Sequence, residues 1–285
     1  MRVRGVVGWG VAGTLGLVAL GYGATTGWAW WRYGHPAPPA PDETDPLLDR
    51  FMPHYEVVER HHARVDAPAD LTLRAATDIE FEASPIVQAI FKARAIVLGA
   101  RADTAPRPRG LLAQTKALGW GVLAEAPGRE IVMGAVTQPW LADVVFRPLP
   151  PDQFAAFCEP GFVKIVWTLR ADPDGPSHAI FRTETRVVAT DPVARSRFRG
   201  YWARFSPGIA LIRTMMVREL RRTVSRSTTA EPHHAPARWS RSGADDAVTR
   251  RGHMRPSERR SGRAGQRYGG RERSSPCASV SCLPF

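Results

Sequence analysis

Apolar and polar positions alternate along the chain through residues 119–189, and from residue 192 onward they recur every three or four residues. The first rhythm predicts strands. In FVKIVWTLRADPDGPSHAIFRTETRVVATD, Ile165, Trp167 and Leu169 alternate with Lys164, Val166, Thr168 and Arg170, and Phe181, Thr183, Thr185 and Val187 alternate with Arg182, Glu184 and Arg186. One face of this pair is therefore apolar or hydroxylic and the other charged. Asp172-Pro173-Asp174-Gly175 predicts the turn between the two strands, and Ala126-Pro127-Gly128-Arg129 predicts a type II turn within the earlier hairpin GWGVLAEAPGREIVMGAVTQPW. The charged ladder of Arg170, Arg182, Glu184 and Arg186 is expected to face solvent, where ion pairs contribute little.

The second rhythm predicts a long helix. Thr190 or Asp191 caps it, Pro192 takes its first position, and Phe198, Trp202, Phe205, Ile209, Ile212 and Met216 form its apolar stripe. Ser206-Pro207-Gly208 is expected to bend or interrupt it, because Pro207 removes a helix hydrogen bond. Upstream, residues 55–65 predict a strand, the turn Asp66-Ala67-Pro68-Ala69-Asp70 starts one helix, and Ser84 followed by Pro85 starts another that stops at Gly99. Residues 99–110, with Pro106 and Pro108, predict a mobile loop. The order is that of an α+β fold in which a curved antiparallel sheet wraps around a long C-terminal helix.

Both ends differ from this middle. Gly5 to Ala24 carries no charge, roughly the length that crosses a bilayer, and Trp28, Trp30, Trp31 and Tyr33 follow as an aromatic cluster. Residues 1–33 therefore predict a single-pass membrane anchor, retained rather than cleaved because the bulky GWAWW run stands where a signal peptidase needs small residues. Arg2 and Arg4 ahead of the apolar run lean toward an extracytoplasmic domain. Residues 34–46, rich in Pro and acidic groups, predict a stiff linker holding the domain off the membrane, and residues 47–222 predict the domain.

Charge is unevenly placed. The chain has 39 basic and 27 acidic residues, and residues 223–285 hold twelve of the arginines against five acids. This stretch lacks apolar periodicity and predicts a disordered basic tail; a basic tail on a milder domain does not argue for nucleic acid as the domain's partner. Cys158, Cys277 and Cys282 give neither a disulfide framework nor a zinc spacing within the domain, and no metal is expected. Gly8, Gly10 and Gly13 spell a dinucleotide fingerprint with no strand before them, so no cofactor is expected. His61 and His62, adjacent on a strand, point to opposite faces and do not share a metal.

The segments LLDRFMPHYEVVERHHARVDAPADLTLRAA, SPIVQAIFKARAIVLGA, GFVKIVWTLRADP and FRTETRVVATDPVARSRFRGYWARFSPGIALIR, with the earlier hairpin, resemble the START-related helix-grip superfamily, also called SRPBCC or polyketide-cyclase-like, and within it a bacterial SRPBCC-like family. The resemblance spans residues 47–222. It implies a helix-grip fold with a hydrophobic cavity and lends no activity.

The expected site is that cavity. Trp120, Trp140, Trp167, Phe181, Trp202 and Phe205 are the candidates for its wall, and Thr183 and Thr185 for hydroxyls that orient a ligand. No nucleophile elbow or P-loop occurs, so binding of an apolar or amphipathic small molecule is the leading expectation. A cyclase- or hydrolase-like enzyme using the same cavity, and a non-catalytic interaction module acting through the tail, are the alternatives.

Overall fold

The alternating runs pair into one antiparallel sheet. The computed structural model describes residues 3–80, 84–101 and 108–230, without the side chains of 3–15, 18 and 227–230. The strands are β1 (Val57–Val65), β2 (Gly121–Ala126), β3 (Glu130–Thr137), β4 (Phe146–Arg147), β5 (Val163–Pro173) and β6 (Ala179–Ala189). Their order is β1-β6-β5-β3-β2, with the short β4 beside β3. Between them run helices α1 (Val3–Arg32), α2 (Pro46–Asp49), α3 (Ala69–Asp78), α4 (Pro85–Leu98), α5 (Leu111–Ala117), α6 (Pro151–Phe154) and α7 (Pro192–Ala230). This is an α+β open sheet with a long final helix, consistent with the helix-grip layout.

Local chemistry explains most of the boundaries. Gly128 takes the positive φ of 70° that a type II turn needs at its third position, and Arg129 N–H bonds Ala126 O at 3.0 Å. The second hairpin closes later than expected: Pro173 still pairs with Ala179, and the turn is Asp174 to His178 with Gly175 at φ +86°. Asp191 caps α7 by accepting from Val193 and Ala194 N–H, and these bonds with that from Gly161 hold its carboxyl below the usual range. Helix α4 ends at Gly99 in the left-handed region. Of the expected mobile loop, residues 102–107 lie outside the described residues. Helix α7 is continuous through Pro207, where a bend or an interruption was expected, so it is not interrupted there. It also passes Arg222 and reaches Ala230 with Val224 buried, so the first residues of the expected disordered tail are helical; residues 231–285 lie outside the described ones.

The sheet is covered on both faces. Beneath α7, α3 and α5 lies a core of Leu73, Met133, Trp167, Leu169, Phe181, Met216 and Leu220. The opposite face carries a second core in which Leu48, Phe51 and Met52 pack on Leu123, Val132, Val136, Phe154 and Val166. The covering piece on that side is the chain just before β1. Residues 34–46 accordingly do not stand clear of the domain: Arg60 donates to Ala37 O, Arg182 pairs with Asp42 at 3.0 Å, Arg170 donates to Thr44 O, and Asp45 is buried as the cap of α2. A Pro-rich acidic segment reads as a linker by composition, but here its carboxylates and carbonyls answer the arginines of the sheet.

The same cover overturns the expectation of a solvated ladder. Arg186 is 2% exposed; it donates to Glu184 at 2.7 Å and to Met52 O at 2.8 Å, pairs with Asp49, and lies 4.7 Å from the Tyr55 ring centre. Burial pulls its pKa down, yet the bonds to Glu184 and Asp49 outweigh that and hold it above the usual value. Glu130 is 6% exposed beside Asp45, Arg170 and Asp172. Burial first, then the hydrogen bond to Asp45, pushes its carboxyl up to about 8.

Among the described residues helix α1 buries side chains only in its last turns, and further up Tyr22 donates from its hydroxyl to Arg204 O at 2.6 Å. Ala29 and Tyr33 are buried against Phe198 and Trp202 of α7, Tyr33 donates to Glu56 at 2.7 Å, and Arg199 donates to Trp30 O while stacking over its ring at 4.4 Å. Earlier, Leu17, Leu20 and Tyr22 are exposed. Among the described residues no helix is long and apolar enough to cross a membrane; most side chains of the Gly5 to Ala24 run fall outside them.

Candidate functional site

Period-two alternation places Glu59 and His61 of β1, Thr183 and Thr185 of β6 and Trp167 of β5 on the face toward α7. The registers Glu59↔Thr185, His61↔Thr183 and Trp167↔Thr185 set them side by side. From above, α7 adds Arg213. Its guanidinium donates to Thr185 Oγ1 at 2.9 Å and lies 5.2 Å from the Trp167 ring centre.

This cluster is incompletely served. Among the described residues no carboxylate lies within ion-pair distance of Arg213. Burial lowers its pKa to about 10, with Glu59 pulling the other way, so it stays charged at neutral pH. Thr183 is 2% exposed, and among the described residues its hydroxyl has no hydrogen-bond partner. The same holds for His61 Nε2, although Glu59 Oε2 stands 3.5 Å away. Buried polar groups are nearly always paired, so a charged donor fork and a bare hydroxyl one pleat apart are an arrangement with capacity left over.

The sequence-predicted wall residues divide. Trp167, Phe181, Thr183 and Thr185 share the face under α7, and Trp202 reaches it from the helix. Trp120 packs at its edge on Trp167 and Phe146, Trp140 packs beside the Phe198 and Trp202 cluster, and Phe205 lies on Tyr201 with ring centres 4.8 Å apart. The open apolar space expected between sheet and helix is largely filled, because Met216, Val217, Leu220 and Val224 interlock with Leu169 and Phe181. Among the described residues a cleft of about 60 Å³ opens where α1, β1 and α7 meet, lined by Trp28, Arg32, Tyr33, Glu59, Trp202 and Ser206 among others. It reaches the polar cluster through Glu59. Ligand pockets usually run to roughly 300–1,000 Å³, so any guest larger than a few waters requires α7 or α1 to shift.

Arg213 and Glu59 were missed by sequence reasoning, and Arg213 left a signal. It falls four residues after Ile209 and three before Met216, inside the apolar stripe of α7, where a charge is costly without a reason. Among the described residues no cluster of His, Cys, Asp and Glu is arranged to hold a metal ion.

No family model and no curated protein matches the chain, so the bacterial family expected from the sequence is not shown. Solved structures similar to it include a norcoclaurine synthase point mutant from Thalictrum flavum in complex with a transition-state analogue, at 10% identity and a TM-score of 0.30, covering 60% of this chain and 96% of that one. The Zhui aromatase/cyclase of Streptomyces sp. R1128 aligns at 15% identity and a TM-score of 0.24, covering 61% of this chain and 96% of that one. CalU16 of Micromonospora echinospora aligns at 12% identity and a TM-score of 0.21, covering 61% of this chain and 97% of that one. With scores this low, the helix-grip description rests on this chain's own strand order and final helix.

Proposed function

We propose that the chain is a membrane-anchored binding domain for a small amphipathic molecule, whose polar end meets Arg213 and Thr185 and whose apolar body lies along Trp167 toward the cleft at Trp202. One observation carries this reading: a half-buried, charged Arg213 held by one hydroxyl and one ring, beside a buried Thr183 whose hydroxyl has no partner among the described residues. An acceptor group on a ligand satisfies both. Apolar burial supplies the affinity, at about 25 cal/mol per Å² before the costs of binding and of moving α7. The uncharged run Gly5 to Ala24 and the exposed Trp28, Trp30 and Trp31 support the anchor, and the charge lean of Arg2 and Arg4 supports an extracytoplasmic domain.

Calorimetric titration of the purified full-length chain with dodecanoate and dodecanol tests this. Dodecanoate binds, and Arg213→Met weakens it at least tenfold, about 1.4 kcal/mol. A chain that takes up neither compound, and carries no apolar molecule in native mass spectra, sinks the proposal. Glu59 and His61, 3.5 Å apart at the mouth, carry a second reading as a proton-transfer pair of a cyclase-like enzyme. Its mark is a bound compound that changes mass in the wild type and not in Glu59→Gln.

A further inference from the structure

The two layers that cover the sheet differ in charge. Residues 41–56, over one face, contain five acids and a single Arg. Helices α4 and α7, on the other side, contain eleven Lys or Arg and one acid, Glu219, which already pairs with Arg222 and Arg226. Much of the domain's mild overall charge hides this division, because the acids gather where they meet the arginines of the sheet.

The outward ridge of α7 shows what is left uncompensated. Arg197, Arg204, Leu211 and Arg218 recur every seven residues and are all exposed. Among the described residues these three arginines have no acidic partner. Helix α4 lies against the same stretch of α7, with Ile90 beside Gly208 and Arg94 bonding Tyr201. Its outer arc is aliphatic: Ile86, Val97 and Ile96 are exposed, Ile96 at 81%. On the other flank of α7, α1 presents Trp28, Trp30 and Trp31, the last 69% exposed.

We infer that this helical face rests on an anionic lipid surface, with the arginines at the phosphate level and the α4 aliphatics and α1 tryptophans entering the interface. Charge complementarity selects the partner: unpaired arginines draw an anionic surface, each adding to affinity within a Debye length. The neighbouring apolar side chains select lipid over nucleic acid. A phosphate backbone leaves Ile86, Ile96 and Val97 wet, since aliphatic side chains do not stack on bases, whereas a bilayer interface buries them. The inference goes beyond the anchor, which requires only that α1 insert and says nothing of how the domain lies.

Site-directed spin labelling of the full-length chain tests it. Cys158, Cys277 and Cys282 are replaced by Ser, and a nitroxide is placed in turn at L17C, I96C and D152C, the last on α6 at the opposite side. The protein is reconstituted with phosphatidylcholine vesicles and with vesicles containing roughly a third phosphatidylserine. The label at 96 is expected to become accessible to oxygen in the anionic vesicles alone, while that at 152 stays in water. R197E/R204E/R218E returns the label at 96 to water and, because all three sites are exposed, leaves the thermal midpoint unchanged. A label at 96 that stays aqueous in both vesicles overturns the docking face. If the label at 17 is then immersed, the anchor stands without it; if the chain instead binds single-stranded RNA with 96 aqueous, nucleic acid is the partner and the inference fails.

Discussion

Two arginines lie against opposite faces of one sheet, Arg186 buried on β6 and Arg213 half-buried on α7, and their surroundings differ. Arg186, under the N-terminal cover, has two carboxylates, a carbonyl and a tyrosine ring. Arg213, reaching the other face from α7, has one hydroxyl and one tryptophan ring. A buried charge is costly unless its partners are in place. The saturated arginine therefore belongs to the architecture, fixing where the segment before β1 lies. The unsaturated one costs the fold something, and the proposed ligand is what would supply its counter-charge.

Breaking the saturated side has the largest expected effect. Arg186→Ala leaves Glu184 and Asp49 without their shared cation and is expected to lower stability by about 3–5 kcal/mol in urea unfolding; a loss under about 1 kcal/mol makes the two faces equivalent. Next comes pH. Glu130 has its folded pKa raised to about 8, above the value it has when unfolded, so the folded chain holds the extra proton between the two. Its contribution is fully present below the unfolded pKa and is lost as pH rises through about 8, at up to about 1.4 kcal/mol per pH unit. Glu130→Gln is expected to flatten that decline in thermal melts taken from pH 5 to pH 9, and an unchanged slope places the titrating group elsewhere.

The inner face should respond in the opposite sense. Arg213→Met is expected to change stability by less than about 1 kcal/mol, or to raise it, because an apolar side chain of similar length replaces an under-paired charge. A loss as large as that of Arg186→Ala shows that Arg213 is structural. The smallest effect sharpens the point: Thr183→Val removes a buried hydroxyl with no partner and is expected to stabilise by up to about 1 kcal/mol while weakening dodecanoate binding.

The faces of the strands were legible in advance. Trp167, Phe181, Thr183 and Thr185 lie together because a pleat alternates side chains whatever surrounds it. The burial of Arg186 was not legible, since alternation separates two faces without saying what covers either. Arg213 was legible only as an oddity in a helical stripe. The filled interior was not legible at all, because spacing gives the positions of Met216 and Leu220 but not the distance between helix and sheet.

By itself, the sequence determined the hairpin turn at Pro127-Gly128, the strand faces, the extent of α4 with its Gly99 stop, and the Asp191 cap and most of the extent of α7, because dihedral limits, capping bonds and hydrophobic period act within a few residues; Ser84 starts α4 without a side-chain capping bond. Tertiary structure alone decided that residues 37–52 fold over the charged side of the sheet, that Arg186 is satisfied there, and that Arg213 of α7 is left short of partners on the other side. Those outcomes depend on which distant carboxylates arrive within a few ångströms, and chain proximity in space follows from packing of the whole domain rather than from any local pattern.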